Sequence, residues 1–451
     1  MKSARILVFV LLVWTAAPAQ APLPVAAAPT TPSAQEHETH PADVPAVTLE
    51  QLEAAALEAN PEIQALARGA DAVEARVPAA GALDDPSFMY RGWGVPLRQP
   101  WNLNQAQNMF AVTQAFPGPG KRALRSQIAQ QNVSIAKAVL EAKKREVTAR
   151  VSAAFYGLLR NSEELRLHEE QVALARQGME AARIKYTVGR VPQQDLLKAQ
   201  IAVTRLVEHQ LTLQQEGRLA RVELNALLGR DPGAPLEVAG EYAVPGDLPA
   251  IAELERVALE NRPELLASTV AIQRSETQVR LAAKAYTPDY SLGFGYMLQP
   301  AASPFRNAYM AEVSITLPWF NRRRHESEIA EARAERTVWK AEYETRRVLV
   351  FREIQEARIR AETAKQMVEL YRDTLRPQTQ TSLKAAVAAY RNDRTDFLNL
   401  LDSQNAALDV EYAYFKALSE FEERRADLER AVGAPLPARA PAAETTAEVK
   451  P

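Results

Sequence analysis

The chain has 451 residues, 24% of them charged, and a formal net charge of −2 at pH 7. This near balance of charge excludes the strongly basic class of nucleic-acid-binding proteins, so no nucleic-acid partner is predicted. The chain contains no cysteine, which excludes disulfides, thiolate metal sites and a lipid-bearing cysteine after a leader.

Residues 1–21 have the pattern of a secretory signal peptide. Lys2 and Arg5 precede an apolar run from Ile6 to Trp14, and small residues follow as far as Ala21. An uncleaved membrane anchor is the alternative, but the apolar run is too short to cross a bilayer. We therefore expect an exported protein.

Two segments rich in Pro and Ala, residues 22–46 and 435–451, are predicted to be a disordered linker and a disordered tail. In the first of them, His37 and His40 form a weak candidate site for a metal ion, although a solvated polar segment is the preferred interpretation. No other metal site and no cofactor are predicted.

The sequence between these two segments contains an internal repeat. Residues 56–63 (ALEANPEI) return as residues 258–265 (ALENRPEL), and residues 109–117 (MFAVTQAFP) return as residues 310–318 (MAEVSITLP). Residues 185–200 return in the same order as residues 389–404. The sequence therefore predicts a duplicated unit, with the first repeat at 47–235 and the second at 250–434.

Each repeat is predicted to contain one very long helix. Apolar residues recur every seven positions between Lys121 and Val191, and again between about Arg322 and Tyr390, where Pro377 should kink the helix locally. About seventy helical residues would extend for about 100 Å. In the first repeat, shorter helices that begin at Pro61 and at Gln193 are predicted to pack along the long one.

Two strands per repeat are predicted, near residues 86–95 and 107–116, and near 289–298 and 308–317. Large apolar residues alternate with small or polar ones, most clearly from Tyr290 to Leu298. Such a sheet could cover a soluble core, or it could form part of a membrane β-barrel with its apolar face toward lipid and its polar face toward a lumen. In the barrel interpretation four strands cannot close and open edges are not tolerated in lipid, so a homotrimer with twelve strands is predicted.

Each long helix begins just after a strand, at a junction that combines chain breakers with cations. The two junctions read PGPGKR at 117–122 and LPWFNRRRH at 317–325. Proline ends a strand, glycine permits a sharp change of direction, Asn321 is a candidate helix cap, and cations and aromatic residues suit a membrane rim. The candidate rim residues are Pro117, Gly118, Gly120, Lys121, Arg122, Pro318, Trp319 and Arg322.

The duplicated layout, the FPGPGKR and LPWFNRRR junctions and the turns YTVGRVPQQDLL and YRNDRTDFLNLL resemble the TolC-like outer-membrane efflux proteins, over residues 47–433. The junctions are most similar to the heavy-metal efflux branch. The resemblance implies a mainly α-helical fold with a membrane β-barrel, in which a trimer crosses the lipid of the outer membrane and a helical barrel extends into the periplasm. It also implies two partners, a periplasmic adaptor (membrane fusion) protein and an inner-membrane transporter.

In that family the helix tips constrict the periplasmic end of the channel. The matching candidates here are Tyr186, Lys198, Tyr390, Asn399 and Asp402, with Asn399 at a position where the family pattern has an acid. Lys198 and Asp402 occupy matching positions in the two repeats, so an ion pair between the tips is an expectation. The candidate adaptor contacts are Gly189, Arg190, Asp393 and Arg394.

The function predicted from these observations is a passive exit duct of a tripartite efflux system for heavy metals or small molecules. A type I protein-secretion duct is an alternative of the same class, and a soluble periplasmic adaptor or structural coiled coil is an alternative of another class. An enzyme is not predicted, because His168, His209 and His325 stand singly and no catalytic grouping or phosphate-binding glycine loop is present.

Overall fold

A computed structural model of the protein describes residues 46–95, 97–98, 105–243, 245–300, 307–392, 394–395 and 397–436. The predicted signal peptide, the candidate metal ligands His37 and His40, the candidate adaptor contact Asp393 and nearly all of the C-terminal tail lie outside the described residues.

The first repeat begins with two short helices joined at a proline. Thr48 and Gln51 form a capping box at the first helix, and the side chain of Asn60 caps the second, where Pro61 occupies the first turn. The elements of this repeat are α1 (Leu49–Ala59), α2 (Pro61–Glu74), α3 (Val77–Gly81), β1 (Ser87–Trp93), β2 (Gln107–Phe116), α4 (Lys121–Thr187) and α5 (Gln193–Leu227).

The second repeat follows the same order, except that a 3-10 turn (Lys284–Tyr286) stands in the place of α3 and the long helix is divided into two helices by a π-helical turn. Its elements are α6 (Ile251–Asn261), α7 (Pro263–Ala283), β3 (Tyr290–Leu298), β4 (Asn307–Ile315), α8 (Arg322–Leu370), α9 (Arg376–Arg391) and α10 (Phe397–Val432). Short 3-10 turns follow α7 and precede α8. Among the described residues, no helix is both long enough and apolar enough to span a membrane.

The two repeats build matching cores. In the first, α1, α2, α4 and α5 meet around Leu52, Val151 and Leu224, and in the second, α6, α7, α8 and α10 meet around Leu254, Ile354 and Leu428. These three pairs are buried in both repeats, so the duplication read from the sequence is also a duplication of packing. The fold-class prediction, a mainly helical chain with four strands and an internal duplication, is confirmed.

The kink predicted near Pro377 takes the form of a π-helical turn at Tyr371–Leu375, directly before α9. Proline has no amide hydrogen and clashes with the preceding helical turn, and a wider turn relieves that clash. The turn also accounts for a one-residue difference between the repeats. Val151 and Ile354 lie 203 residues apart, whereas the tip residues Tyr186 and Tyr390 lie 204 apart.

The four strands form one antiparallel sheet in the order β1-β2-β3-β4. The central pair, β2 and β3, joins the two repeats, with Phe116 opposite Tyr290 and Asn108 opposite Leu298. Within the described chain, the outer edges of β1 and β4 have no strand beside them. The sheet therefore does not close in one copy of the chain.

One face of this sheet is apolar across all four strands. Residues directly opposite each other in antiparallel strands lie on the same face. The register places one aromatic or aliphatic residue after another on this face: Phe88, Tyr90, Phe110, Val112, Phe116, Tyr290, Leu292, Phe294, Tyr296, Tyr309, Val313 and Ile315. Most of these side chains are exposed, Phe88 to 69% and Tyr309 to 76%.

The other face carries small or polar residues, as the strand pattern predicts. Its middle holds Ala111, Thr113, Gly293 and Gly295. A Cβ atom added at Gly293 would lie 3.0 Å from Oγ1 of Thr113, and one at Gly295 would lie 3.3 Å from Cβ of Ala111. Small residues are therefore required for the strands to pack closely on this face.

Candidate functional site

The first strand-to-helix junction holds the two repeats together at the end of the sheet. Oδ1 of Asp289, the residue just before β3, accepts hydrogen bonds from the Gly118 amide at 2.5 Å and from Nζ of Lys121 at 2.8 Å. The Lys121 side chain is only 11% exposed. Its ammonium group is therefore mostly buried against a carboxylate of the other repeat. The assignment of Lys121 to the membrane rim stays a prediction.

Burial acts to raise the pKa of Asp289, but the hydrogen bonds from Lys121 and Gly118 outweigh it, and the pKa lies below the ordinary value for an aspartate. The carboxylate is therefore ionised at neutral pH and holds the turn that follows β2.

Gly118 and Gly120 are required at this junction for different physical reasons. A Cβ atom at Gly118 would lie 2.7 Å from the carbonyl oxygen of Pro288, so no larger residue fits beside the second repeat. Gly120 has φ +86° and precedes the first turn of α4, a left-handed conformation that glycine adopts without strain. The neighbouring Arg122 donates from Nε to the carbonyl of Gly81 at 2.8 Å and so ties α4 to the end of α3.

The second junction is built differently and remains exposed. Pro318 is buried, whereas Trp319 and Phe320 are 56% and 80% exposed and their rings lie 6.4 Å apart. Arg322 pairs with Glu326 one turn along α8, at 2.7 Å. The predicted side-chain cap at Asn321 is wrong, because its φ/ψ values of −114° and 41° lie outside the extended conformation of a cap and its side chain makes no capping hydrogen bond.

At the opposite end of the long helices, one contact joins the tips of the two repeats. Nζ of Lys185, near the end of α4, donates to the hydroxyl of Tyr390 at 3.0 Å and lies 4.8 Å from the centre of the Tyr390 ring. The α4–α5 turn is made by Gly189 at φ +72°, with Arg190 exposed beside it. Tyr186 is 40% exposed at this turn.

The two charged tip candidates, Lys198 and Asp402, are not joined in this way. Lys198 and Asp402 are both exposed, and within the described chain no ion pair links them. The expectation of an ion pair between them is therefore wrong for a single copy of the chain. The two side chains lie on different helices, α5 and α10, each packed against α4 rather than against the other. Asn399 accepts from the Ser403 hydroxyl through its backbone carbonyl at 2.9 Å, and Arg394 is exposed next to Asn392.

A cleft opens just behind the tip, between α4, α5 and α10. Its volume is about 450 Å³, and Leu174, Ile201 and Leu401 supply part of its apolar wall. Lys198 also lines it. Its polar wall includes Gln171, whose amide donates to Oδ1 of Asn405 at 3.2 Å and so links α4 to α10.

Further from the tip, a buried polar group links the same helices. His168 is fully buried, with Nε2 2.8 Å from the Leu206 carbonyl of α5 and Nδ1 3.3 Å from the Tyr412 hydroxyl of α10. Burial lowers the pKa of His168, so the imidazole is neutral at pH 7. Glu164, one turn away, is held by Arg160 at 2.9 Å, and burial raises the pKa of its carboxyl group.

These groups fit a structural role in joining helices. Among the described residues, no group of three or more His, Asp or Glu side chains is arranged to hold a metal ion. His209 contacts the ring of His168 edge to face, and His325 pairs with Glu328 at 3.1 Å.

Sequence reasoning identified Lys121 and Tyr390 but not their partners, Asp289 and Lys185. Asp289 stands 168 residues from Lys121, and Lys185 stands 205 residues from Tyr390. Asp289 had one available signal: it is the first residue of the strand predicted near 289–298, at the end of the sheet where the first junction was already expected.

Comparisons with known proteins match this architecture on both repeats. The model of the family described as Outer membrane efflux protein matches residues 52–230 and 254–434. The cobalt-zinc-cadmium resistance protein CzcC of Cupriavidus metallidurans is 24% identical over 391 residues, which cover 86% of this chain and 90% of that protein.

Solved structures with a similar fold include CusC, with a TM-score of 0.72 at 17% identity over 86% of this chain and 92% of that one. The open-state outer-membrane channel MtrE of Neisseria gonorrhoeae has a TM-score of 0.70 at 17% identity, over 86% of this chain and 89% of that one. At these identities the likeness establishes a shared fold.

Proposed function

The chain belongs to the outer membrane efflux protein family, and from that premise we propose that three copies form the exit duct of a tripartite efflux system for heavy-metal ions. The protein is an outer-membrane efflux channel that extends into the periplasm, and it is not an enzyme. Our proposal concerns the trimer, the adaptor and transporter that it contacts, and the class of substrate that it exports.

The open four-stranded sheet is the observation that carries the proposal. Its apolar face is exposed across all four strands, and no strand of the described residues pairs with the outer edge of β1 or of β4. Lipid can cover the apolar face, but it cannot satisfy backbone groups, so each edge needs another strand. Three copies would supply twelve strands, a number that closes a barrel.

The helices supply the periplasmic part of the duct. Helix α4 has 67 residues and would extend for about 100 Å from the rim to the tip. The tip residues Gly189, Arg190 and Arg394 are the surface offered to the adaptor, because they lie at the ends of the helical pairs that are furthest from the sheet. Tyr186, Lys198, Tyr390, Asn399 and Asp402 form the constriction, and the Lys185–Tyr390 contact holds it closed at rest.

Heavy-metal export is supported by the relative that is named for cobalt, zinc and cadmium resistance. Its likeness to this chain extends over both repeats. The duct itself is passive, so the inner-membrane transporter selects the metal. The soluble adaptor or structural coiled coil considered from the sequence is wrong, since the family match covers both repeats.

A resistance assay tests the substrate class. The gene is expressed with its native adaptor and transporter in a host that lacks its own metal-efflux channel, and growth is measured against zinc, cobalt, cadmium and an organic dye. We expect resistance to rise for the metals and to be unchanged for the dye. Resistance to the dye alone would contradict metal export.

A further inference from the structure

Because the chain contains two copies of one unit, each residue of the sheet has a matching residue in the other repeat, and a strand pairing seen for one repeat predicts the pairing of the other. In the sheet, Met89 of β1 lies opposite Ala111 of β2, and Gly293 of β3 lies opposite Glu312 of β4. Ala111 and Glu312 are matching positions of the repeated segment, 201 residues apart. The first strands of the two repeats therefore match with a spacing of 204 residues, so that Met89 corresponds to Gly293.

Within one chain, the two repeats pair along only one of the two strand edges that each repeat offers. The second strand of the first repeat, β2, pairs with the first strand of the second repeat, β3. The reciprocal pairing would join the second strand of the second repeat, β4, to the first strand of a first repeat, β1. In the described chain these two strands are the opposite edges of the sheet, so they cannot meet.

We propose that a second copy of the chain supplies the reciprocal pairing, with β4 beside β1 of that copy in the register that β2 and β3 use within the chain. Ala111 lies opposite Gly295 in the β2–β3 pair. The matching residues in the other repeat are Glu312 and Arg91. The register of the seam thus places Glu312 opposite Arg91 of the second copy. This inference deepens the proposed trimer and rests on it.

The chemistry of the two edges agrees with this register. Neither Arg91 nor Glu312 forms an ion pair within the described chain, and both lie on the small, polar face of the sheet. On the apolar face, the same register places Val313 opposite Tyr90 of the second copy and Ile315 opposite Phe88. Opposite charges therefore meet on one face and apolar side chains meet on the other. A shift by one residue would place charges against apolar groups.

The helices extend the same seam below the sheet. Within the chain, α4 of the first repeat packs on α10 of the second. Arg145 of α4 and Ala426 of α10 line one cavity there, and His168 of α4, one turn after Glu164, has Nδ1 3.3 Å from the Tyr412 hydroxyl of α10. The reciprocal contact joins α8 to α5 of the second copy.

The faces that this contact requires are apolar and uncovered in one chain. On α8, Val348 and Met367 stand 203 residues after Arg145 and Glu164, and their side chains are 62% and 47% exposed. On α5, Leu219 and Val222 stand 204 residues before Glu423 and Ala426, and are 59% and 43% exposed. At these positions the intrachain contact has Arg145, Glu164 and Glu423, whereas the contact between copies has apolar side chains, which are stabilised by burial.

Cysteine pairs test the register directly, because the chain has no cysteine of its own. We expect the double variant Arg91→Cys with Glu312→Cys to form a disulfide between copies and to give a covalent trimer on a denaturing gel without reductant. Directly opposite residues of antiparallel strands have Cβ atoms close enough for this bond. Each single variant should give no covalent trimer.

Two control cysteine pairs on the same face of the sheet test whether β4 and β1 of the second copy pair in the proposed register. Met89→Cys with Glu312→Cys and Trp93→Cys with Glu312→Cys are each displaced by two residues, and we expect their cross-linking yields to be lower by at least about five-fold, given the longer diagonal separation. A charge-reversal pair gives a second readout. Arg91→Glu should lower the temperature at which the trimer dissociates, and Arg91→Glu combined with Glu312→Arg should restore it.

The outcomes separate this inference from the proposed function. If the unmodified protein is a trimer but a control pair cross-links best, the register is overturned and the duct stands. If the unmodified protein is not a trimer, the proposed function itself fails. If the charge-reversal double variant is no more stable than the single variant, the contact between Arg91 and Glu312 is overturned.

Discussion

Nζ of Lys121 and Oδ1 of Asp289 lie 2.8 Å apart, and this ion pair joins the end of the first repeat's strands to the start of the second repeat's. The same oxygen accepts the Gly118 amide. The chain therefore uses one carboxylate to anchor the turn between β2 and α4 and to hold β2 and β3 in register. At the same end of this central pair, the rings of Phe116 and Tyr290 stack with their centres 5.4 Å apart, so the ion pair adds to the strand ladder and to this ring contact.

Replacing Asp289 by Asn should weaken this joint. The variant leaves a mostly buried ammonium group without its counter-charge, and we expect a loss of about 1–2 kcal/mol in the free energy of unfolding, because Asp289 is itself partly exposed. Thermal unfolding in detergent measures it. The exposed pair of Arg68 and Asp71 provides the control, and Asp71→Asn should change stability little. Equal effects of the two variants would contradict a special role for Asp289.

The contribution of the Lys121–Asp289 ion pair to stability should decrease at acidic pH. The folded-state pKa of Asp289 lies below its ordinary value of 3.8. Its contribution to stability is therefore fully present above that ordinary value and is lost as the pH falls through the folded-state pKa. We expect the difference in stability between the unmodified protein and Asp289→Asn to be constant from pH 8 to pH 5 and to shrink below about pH 4. A difference that grows on acidification would contradict this assignment.

Glu53 should show the opposite dependence on pH. Burial, together with the nearby carboxylates of Glu429 and Glu50, raises the pKa of Glu53 to about 7. The folded state then binds a proton more tightly than the unfolded state, so stability falls as the pH rises from the unfolded-state pKa toward 7. We expect Glu53→Gln, which mimics the protonated form, to be more stable than the unmodified protein by about 1–2 kcal/mol at pH 8 and equal to it near pH 4. A stability difference independent of pH would show that Glu53 does not titrate in this way.

Arg262 and Asn60 occupy matching positions at the two helix hinges and should differ in importance. Asn60 donates to the Leu227 carbonyl at 2.8 Å. Arg262 is 5% exposed, donates to the Ala431 carbonyl and lies 2.6 Å from Oε2 of Glu353. We expect Arg262→Met to cost about 2–3 kcal/mol, because the Ala431 carbonyl loses its buried donor, whereas Glu353 keeps its ion pair with Arg430 at 2.9 Å. Asn60→Ala should cost about 1–2 kcal/mol. Urea unfolding of each variant measures the costs, and the reverse order would contradict this interpretation.

The contact between Lys185 and Tyr390 is the predicted resting latch of the tip. Tyr390→Phe removes the hydroxyl group but keeps the ring beside the ammonium group, whereas Tyr390→Ala removes both. The two interactions together contribute about 1–2 kcal/mol, so we expect the closed-to-open ratio to fall roughly ten-fold in Tyr390→Ala and less in Tyr390→Phe. Single-channel open probability measures this ratio. An unchanged open probability in Tyr390→Ala would contradict the latch.

The sequence predicted those features that depend on local periodicity. Large residues alternating with small ones from Tyr290 to Leu298 indicated strands, and apolar residues at intervals of seven, such as Val151 and Leu158, indicated a packed helical seam; both residues are buried. The repeated segments indicated the duplication. Each of these signals is carried by neighbouring residues, so tertiary packing has little opportunity to change it.

Contacts between distant residues were not predictable in the same way. Nothing local to Asp289 indicates that Lys121 will be buried against it, and the matching of Lys198 with Asp402 suggested a pair that the packing of α5 and α10 on α4 keeps apart. A side chain's partner depends on which helix lies beside it, and that is decided by packing. The duplication allows one distant contact to be predicted from another, because the pairing of β2 with β3 predicts the pairing of β4 with β1 of a second copy.

The mass of the detergent-extracted protein, measured together with its conductance in a planar lipid bilayer, decides whether the chain forms a trimeric channel. We expect a trimer that inserts and gives small conductance steps, and we expect these steps to become larger in an Asp402→Ala variant, which removes a carboxylate of the proposed constriction. A monomer that leaves the membrane with salt alone and gives no conductance would contradict the barrel, the seam between copies and the exit duct together.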